Sequence, residues 1–295
     1  MTQPPIKPPP EAPLRPELAS TVVFFGLGLV GGSVARATRR AWPKARLIGV
    51  DRAVILDVAR DDGVIDEGVE PDAARDAVAA ADLVVLSLPV LSIVEVMEQL
   101  KEALQGAVVT DTGSTKRGVS EAAQRLSLTR FVGGHPMAGK SVGGLAHADA
   151  DLFVGATWFL CPEPATDPAA VQLVRQWVRE LGARPVEIDA QEHDRAVALT
   201  SHVPHVLVNA LAESVLDMGA LDAAGGSLRE LLRIAGAPFD TWGDTLATNR
   251  AAIDEALLEL IERLERLRLS LDERDRMRDL FARGRACRER LGTRP

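Results

Sequence analysis

An α/β sheet domain followed by an all-α helical domain is the fold class that this 295-residue sequence predicts, on three observations. Short β-branched runs alternate with alanine-rich stretches as far as residue 190, the pattern of a parallel sheet with helical crossovers. Beyond that point apolar residues recur at helical spacing. Ahead of both, "MTQPPIKPPPEAPLRPELA" is crowded with proline, which donates to neither helix nor sheet ladders. These observations predict an extended leader over residues 1–19, a sheet domain over 20–190 and a helical domain over 191–295.

Taken in order, the predicted strands are "TVVFFGLG", "ARLIGVD", "DLVVLSLPV", "AVVTDTGS" and "RFVGGHP". Two further apolar runs, "TWFLCP" and "RPVEIDA", extend the sheet on either side of a helix near residues 168–181. In the second half, Val203, Val206, Leu207, Ala210 and Leu211 follow the helical period, with Pro204 as an expected kink. Ile253, Leu257, Leu260, Leu264, Leu267 and Leu271 then form an a/d stripe flanked by Glu and Arg. Such a stripe needs a partner helix, either in a bundle or across a homodimer, the commonest closed assembly.

Composition narrows the functions available. A net charge of −8 excludes the broad basic field that a nucleic acid or an anionic membrane would require. No apolar run approaches the roughly 18–20 residues needed to span a bilayer, and the N-terminus lacks the order of a signal peptide, so the expected location is the cytoplasm. Cys161 and Cys287 show neither metal-ligand nor redox-pair spacing, which suits a reduced compartment and structural cysteines. A small anionic substrate would have to find a local basic cluster.

"VVFFGLGLVGGS" holds G-x-G-x-x-G at Gly26, Gly28 and Gly31, after a strand and before a helix-compatible run. The first glycine makes the tight turn, the second lets the backbone approach a pyrophosphate, and the third lets helix and strand pack closely. Leu29 and Val30 begin the helix whose N–H groups would meet phosphate oxygens. Asp51 closes the next strand 20 residues after Gly31, where a carboxylate can bind the adenosine ribose hydroxyls. The reading is a Rossmann-type dinucleotide-binding domain. Asp51 would repel a 2′-phosphate and so favours NAD over NADP, while Arg52 beside it moderates that preference. Ser87, Pro89 and Asp111 fall at carboxyl ends of strands, where an open parallel sheet binds its ligand, and are expected to border the cofactor. Ser114 and His135 reach the same edge and could meet there. Ser114 is otherwise a turn or N-cap serine.

"GLGLVGGS", "DTGSTK", "GGHPMAG" followed by "DADLF", "HDRAVALTSHVPH" and "LLRIAGAPFDTWGDTLATN" occur in the order and spacing of prephenate and arogenate dehydrogenases, and the chain resembles that family from about Thr21 to Asn249. The resemblance implies oxidative decarboxylation in tyrosine biosynthesis, with a cyclohexadienol giving a hydride to NAD, losing its ring carboxylate and becoming aromatic. His135 matches the catalytic histidine, and a neutral imidazole suits the uptake of a hydroxyl proton. The glycines before it are expected to let ligands approach its backbone, and Pro136 to set the chain direction after it. Ser114 matches a serine that contacts both this histidine and substrate. Arg233 matches an arginine that grips a substrate carboxylate, a task for a planar bidentate donor; otherwise it is a surface helix charge. His202 and His205 lie one helical turn apart, a spacing that could also ligate metal, but no third ligand accompanies them. The resemblance puts one of them near substrate, and His205 is the choice. Trp242 matches an active-site aromatic, or is a core tryptophan.

Lys140 and Glu230 depart from the family pattern. Lys140 would favour a substrate with two carboxylates, prephenate, whereas Glu230 could welcome the ammonium of arogenate; the balance is drawn toward prephenate. The chain end soon after the helical region leaves no room for an appended amino-acid-sensing domain, so feedback by tyrosine is expected to act at the active site. Two rivals remain. A β-hydroxyacid dehydrogenase would use a helical-domain lysine as base, and no lysine follows Lys140. A non-catalytic NAD-sensing dimer would explain the glycine turn and the apolar stripe but would leave Ser114, His135 and Arg233 without a common purpose.

Overall fold

The computed structural model describes residues 19–140, 142–237 and 239–292. Most of the proline-rich leader lies outside these residues. The sheet region runs β1 (Thr21–Phe25), α1 (Leu29–Ala41), β2 (Arg46–Val50), α2 (Ala53–Asp61), β3 (Glu67–Val69), α3 (Arg75–Ala79) and β4 (Leu83–Leu86). It continues with α4 (Val90–Gln99), α5 (Lys101–Leu104), β5 (Val108–Asp111), α6 (Arg117–Arg125), β6 (Phe131–Pro136), β7 (Thr157–Cys161), α7 (Pro168–Glu180) and β8 (Arg184–Glu187). The helical region comprises α8 (Ala190–Val197), α9 (Val203–Asp217), α10 (Gly226–Leu232), α11 (Phe239–Thr248), α12 (Arg250–Arg268) and α13 (Arg274–Gly292).

The strands form one sheet in the order β3-β2-β1-β4-β5-β6-β7-β8. Strands β1 to β6 are mutually parallel, and the chain reverses direction across the sheet between β1 and β4, which opens a crevice beyond their carboxyl ends. Both faces of the sheet are covered, so its strands are apolar at successive positions. Val22 and Phe24 of β1 enter one core with side chains of α1, α2 and α7; Val23 and Phe25 enter the other with side chains of α3 to α6.

Two features differ from the sequence prediction. Strand β7 runs antiparallel to β6, because the chain between them makes only a short 3₁₀ turn at Leu145–His147 and no long crossover helix. Strand β8 then pairs parallel to β7 across the predicted helix, α7. Strand β3 is absent from the sequence prediction, since three residues are too few to show a period.

The helical region has a small core of Ala198, Val203 and Ile253, with Leu246, Leu257 and Leu260 packed against it. Between α8 and α9 the backbone widens into a π-helical segment, Ala198–His202, just before Pro204, so the break anticipated at the proline takes this form. The predicted stripe on α12 is buried only at its start. Ile253 is 6% exposed, whereas Leu264 is 50% and Leu271, beyond the helix, 70% exposed. Helix α13 has no buried residue. Among the described residues no helix is long and apolar enough to cross a membrane.

Candidate active site

The glycine turn is built as its spacing predicts. Gly26 has φ +81°, a left-handed conformation that side chains rarely adopt, and a Cβ there would lie 2.3 Å from the Ser87 carbonyl oxygen. A Cβ on Gly31 would lie 1.8 Å from the Gly26 carbonyl oxygen, so α1 touches the turn directly. Gly28 is different: a Cβ there would have no atom within 4 Å, and no side chain caps α1, which starts at Leu29 and Val30. A helix start that is uncapped and has room beside Gly28 fits a dinucleotide pyrophosphate. Asp51 follows β2, and its carboxylate accepts the N–H of Leu27 at 2.7 Å and that of Arg52 at 2.7 Å, tying the turn to the neighbouring strand. The Asp51 side chain is still 19% exposed, and Arg52 projects to solvent at 80%. Ser87 and Pro89 form the β4–α4 corner beside both glycines, with the Ser87 hydroxyl 2.7 Å from that of Thr112.

Asp111, expected to border the cofactor, is instead turned into the protein. Its side chain and that of Lys116 are fully buried as an ion pair, and it also accepts the N–H of Gly113 at 2.8 Å and of Gly134 at 2.9 Å. Every oxygen is committed, because a buried charge persists only when paired and hydrogen-bonded. Gly134 likewise serves the protein's own packing: a Cβ there would lie 2.4 Å from the Asp111 carbonyl oxygen and 3.0 Å from the Trp158 indole nitrogen. The glycine before the histidine admits neighbouring strands, not a ligand.

His135 lies within β6 opposite Phe159 of β7, one position before the strand ends at Pro136. Its Nδ1 is 2.9 Å from Nε2 of His193, whose own Nδ1 is 2.8 Å from Oδ1 of Asp194. Both residues lie on α8, which Asp189 caps by accepting the N–H groups of Gln191 at 2.8 Å and Glu192 at 3.1 Å. That helix buries Ala190, His193, Asp194 and Val197, positions i, i+3, i+4 and i+7. Burial, reinforced by His193 and the Lys116 ammonium, holds the proton affinity of His135 well below the usual imidazole range.

Ser114 does not meet His135 in the described structure. Its hydroxyl is 2.7 Å from that of Thr245 on α11, and Thr115 pairs one helical turn on with Thr248 at 2.8 Å. Asn249 donates to the Asp194 carbonyl at 2.8 Å and to Nδ1 of His202 at 3.1 Å. The sheet edge is thereby stitched to the helical region. Burial lowers the His202 pKa to about 4. His205 stacks on Trp242 with ring centroids 3.9 Å apart at 34°, and His202 meets the same indole edge-on at 5.8 Å.

Lys140 is neutralised rather than held open for substrate: its ammonium lies 3.2 Å from Asp149 and 3.2 Å from the His147 carbonyl oxygen. Arg233 is exposed where α10 ends, with no described partner for its guanidinium, and Glu230 is exposed on the same helix. The sequence reading missed His193, Asp194, Thr245 and Asn249. The signal for the first two was present, since a histidine and an aspartate share the inward face with Ala190 and Val197.

A sheet with this strand order, an open helix terminus at its first turn and an imidazole kept neutral near the same edge define a two-domain, dinucleotide-dependent oxidoreductase. Family models narrow the class. Prephenate dehydrogenase, nucleotide-binding domain, matches residues 34–187, and prephenate dehydrogenase, dimerization domain, matches residues 189–283. The chain belongs to the prephenate dehydrogenase family.

It is 30% identical to a prephenate dehydrogenase of Lactococcus lactis over 92% of this chain and 77% of that protein. To the Bacillus subtilis prephenate dehydrogenase it is 33% identical over 88% of this chain and 72% of that one. A solved structure of A. aeolicus prephenate dehydrogenase in complex with hydroxyphenyl propionate and NAD+ superposes with a TM-score of 0.85 at 27% identity, covering 92% of this chain and 98% of that one.

Proposed function

We propose that this protein catalyses the NAD-dependent oxidative decarboxylation of prephenate to 4-hydroxyphenylpyruvate in tyrosine biosynthesis. The observation that carries the reading is the imidazole of His135, held neutral near the carboxyl edge of a sheet whose first turn fits a pyrophosphate. Bound at the α1 turn, NAD supplies the hydride acceptor. Nε2 of His135 takes the proton of the ring hydroxyl as the adjacent C–H bond breaks. The ring carboxylate departs as carbon dioxide, its bonding pair enters the ring, and His135 returns the proton to the phenolic oxygen. Arg233, whose guanidinium has no partner among the described residues, holds an acid group of the substrate, while His205, Trp242 and Glu230 border the ring and side chain. In this reading Asp51 meets the adenosine ribose, Leu29 and Val30 offer N–H groups to phosphate, and Ser87 and Pro89 flank the cofactor.

The same reading assigns cofactor binding to residues 20–190, and substrate binding and dimerisation to 191–295. A homodimer would cover the exposed Leu207, Leu211, Leu264 and Phe281, and the family-model match to a dimerization domain supports it. Cytoplasmic residence suits Cys161, buried, and Cys287, exposed, both free. One assay tests the function: formation of reduced cofactor from prephenate and from arogenate, each with NAD and with NADP. Rapid turnover of prephenate with NAD is expected; binding of NAD with no turnover of either substrate would overturn the assignment in favour of a sensor.

A further inference from the structure

The contact between His135 and His193 fixes more than position. We infer that His193 and Asp194 are positioning residues that hold His135 in its Nδ1–H tautomer and leave its Nε2 as the bare base. This rests on the proposed function only in taking His135 as that base.

The argument runs inward from the carboxylate. Asp194 faces donors: the backbone N–H of Lys116 at 2.7 Å and of Arg117 at 3.0 Å, at the start of α6, and Nδ1 of His193 at 2.8 Å. A carboxylate so placed only accepts, and the positive end of α6 favours its charge. His193 must then carry its proton on Nδ1. A neutral imidazole has one N–H, so Nε2 of His193 is an acceptor, and the 2.9 Å contact requires Nδ1 of His135 to donate into it. Nε2 of His135 remains unprotonated.

The alternative is an imidazolium at His193, which would donate from Nε2 and force the opposite tautomer on His135. Burial of His193, which is 0% exposed, and the nearby Lys116 ammonium oppose that charge and outweigh the pull of Asp194. Rotation of the ring is restrained as well. Phe159 meets His193 edge-on at 5.3 Å, and Asn249 anchors the Asp194 carbonyl. A carboxylate two imidazoles away thus sets the base without touching substrate, extending by one member the logic by which a buried aspartate orients a catalytic histidine.

The test is long-range ¹H–¹⁵N correlation NMR on the full-length protein labelled at histidine, near neutral pH, paired with steady-state kinetics. Wild-type protein should show both His135 and His193 protonated at Nδ1. Replacement His193→Leu removes the acceptor, should move His135 toward the Nε2–H form, and should lower kcat by about 10²- to 10⁴-fold with little change in KM for NAD. Replacement His193→Gln offers an amide oxygen near the place of Nε2 and should recover part of both the tautomer and the rate. An Nε2–H tautomer at His135 in the wild type, or a His193→Leu variant that keeps both tautomer and kcat, would overturn the inference. Should His193→Leu fail to fold, the wild-type spectrum still decides. The Nδ1–H tautomer without prephenate turnover would overturn the proposed function and sustain this inference; turnover with the Nε2–H tautomer would do the reverse.

Discussion

His135 is neutral because of what surrounds β6, not because of anything adjacent to it in the chain. Burial is the largest influence, and His193, Lys116 and His202 act in the same direction. The sign has a kinetic consequence. A base works while unprotonated, and one whose proton affinity is depressed stays unprotonated as pH falls through the ordinary histidine value of about 6.5. A fall in activity directly below that value is the expectation for a free histidine; here the acid limb of kcat should lie well below it. A limb at the free-histidine position in a pH–rate profile would contradict the buried environment. Replacement His135→Asn should lower kcat by about 10²- to 10⁴-fold with the circular dichroism spectrum intact. Arg233 differs in being exposed and unpartnered among the described residues, so Arg233→Ala should raise KM for prephenate and leave NAD affinity unchanged. The cost is about 2 to 5 kcal/mol where the bound carboxylate is desolvated, and a titration showing weaker NAD binding alone would count against the role.

Among the secondary elements, β5 and β6 are held together by more than their ladder. Asp111 ends β5, accepts from the backbone of β6 through Gly134, and is neutralised by Lys116 just ahead of α6. Removing only the cation leaves a buried charge with no counterion, so Lys116→Met should destabilise the protein by about 3 to 5 kcal/mol in urea unfolding. Replacing both partners by apolar residues should cost less, since the desolvation penalty disappears with the charge. Helix α11 has the corresponding task for the helical half. Thr245 and Thr248 are spaced i, i+3, so one face of the helix meets both Ser114 and Thr115. The apolar stripe on α12 shows the limit of pattern: its spacing is correct throughout, yet only its first part finds cover within the chain.

For the molecule as a whole, histidine burial makes the fold acid-sensitive. His135, His193, His202 and His205 all bind protons less readily in the folded protein than in a free chain, with burial as the first cause. Below a pH of about 6.5 the unfolded state therefore takes up more protons than the folded state, and stability falls as pH falls. His202 alone, with its pKa lowered to about 4, contributes a slope of about 1.4 kcal/mol per pH unit. The urea midpoint should drop steadily from neutral pH toward pH about 4; a flat profile would mean that these rings are hydrated.

The glycine turn, the strand sequence and the change to helical period could all be read directly, because each is written in residues a few positions apart and governed by backbone geometry. Gly26 needs a positive φ whatever lies beyond it, and β1 must be apolar on both faces wherever a sheet is covered twice. Partners distant in the chain leave no such trace. Ser114 and Thr245 are 131 positions apart, Asp111 and Gly134 are 23 apart, and His135 and His193 are 58 apart. Side-chain charge and hydrogen bonding act over a few ångströms of space with no reference to chain order. For that reason the role proposed for His135 rests on its residue type and motif, whereas its tautomer, its lowered proton affinity, the burial of Asp111 and the occupation of Lys140 emerged only once the chain had closed around them.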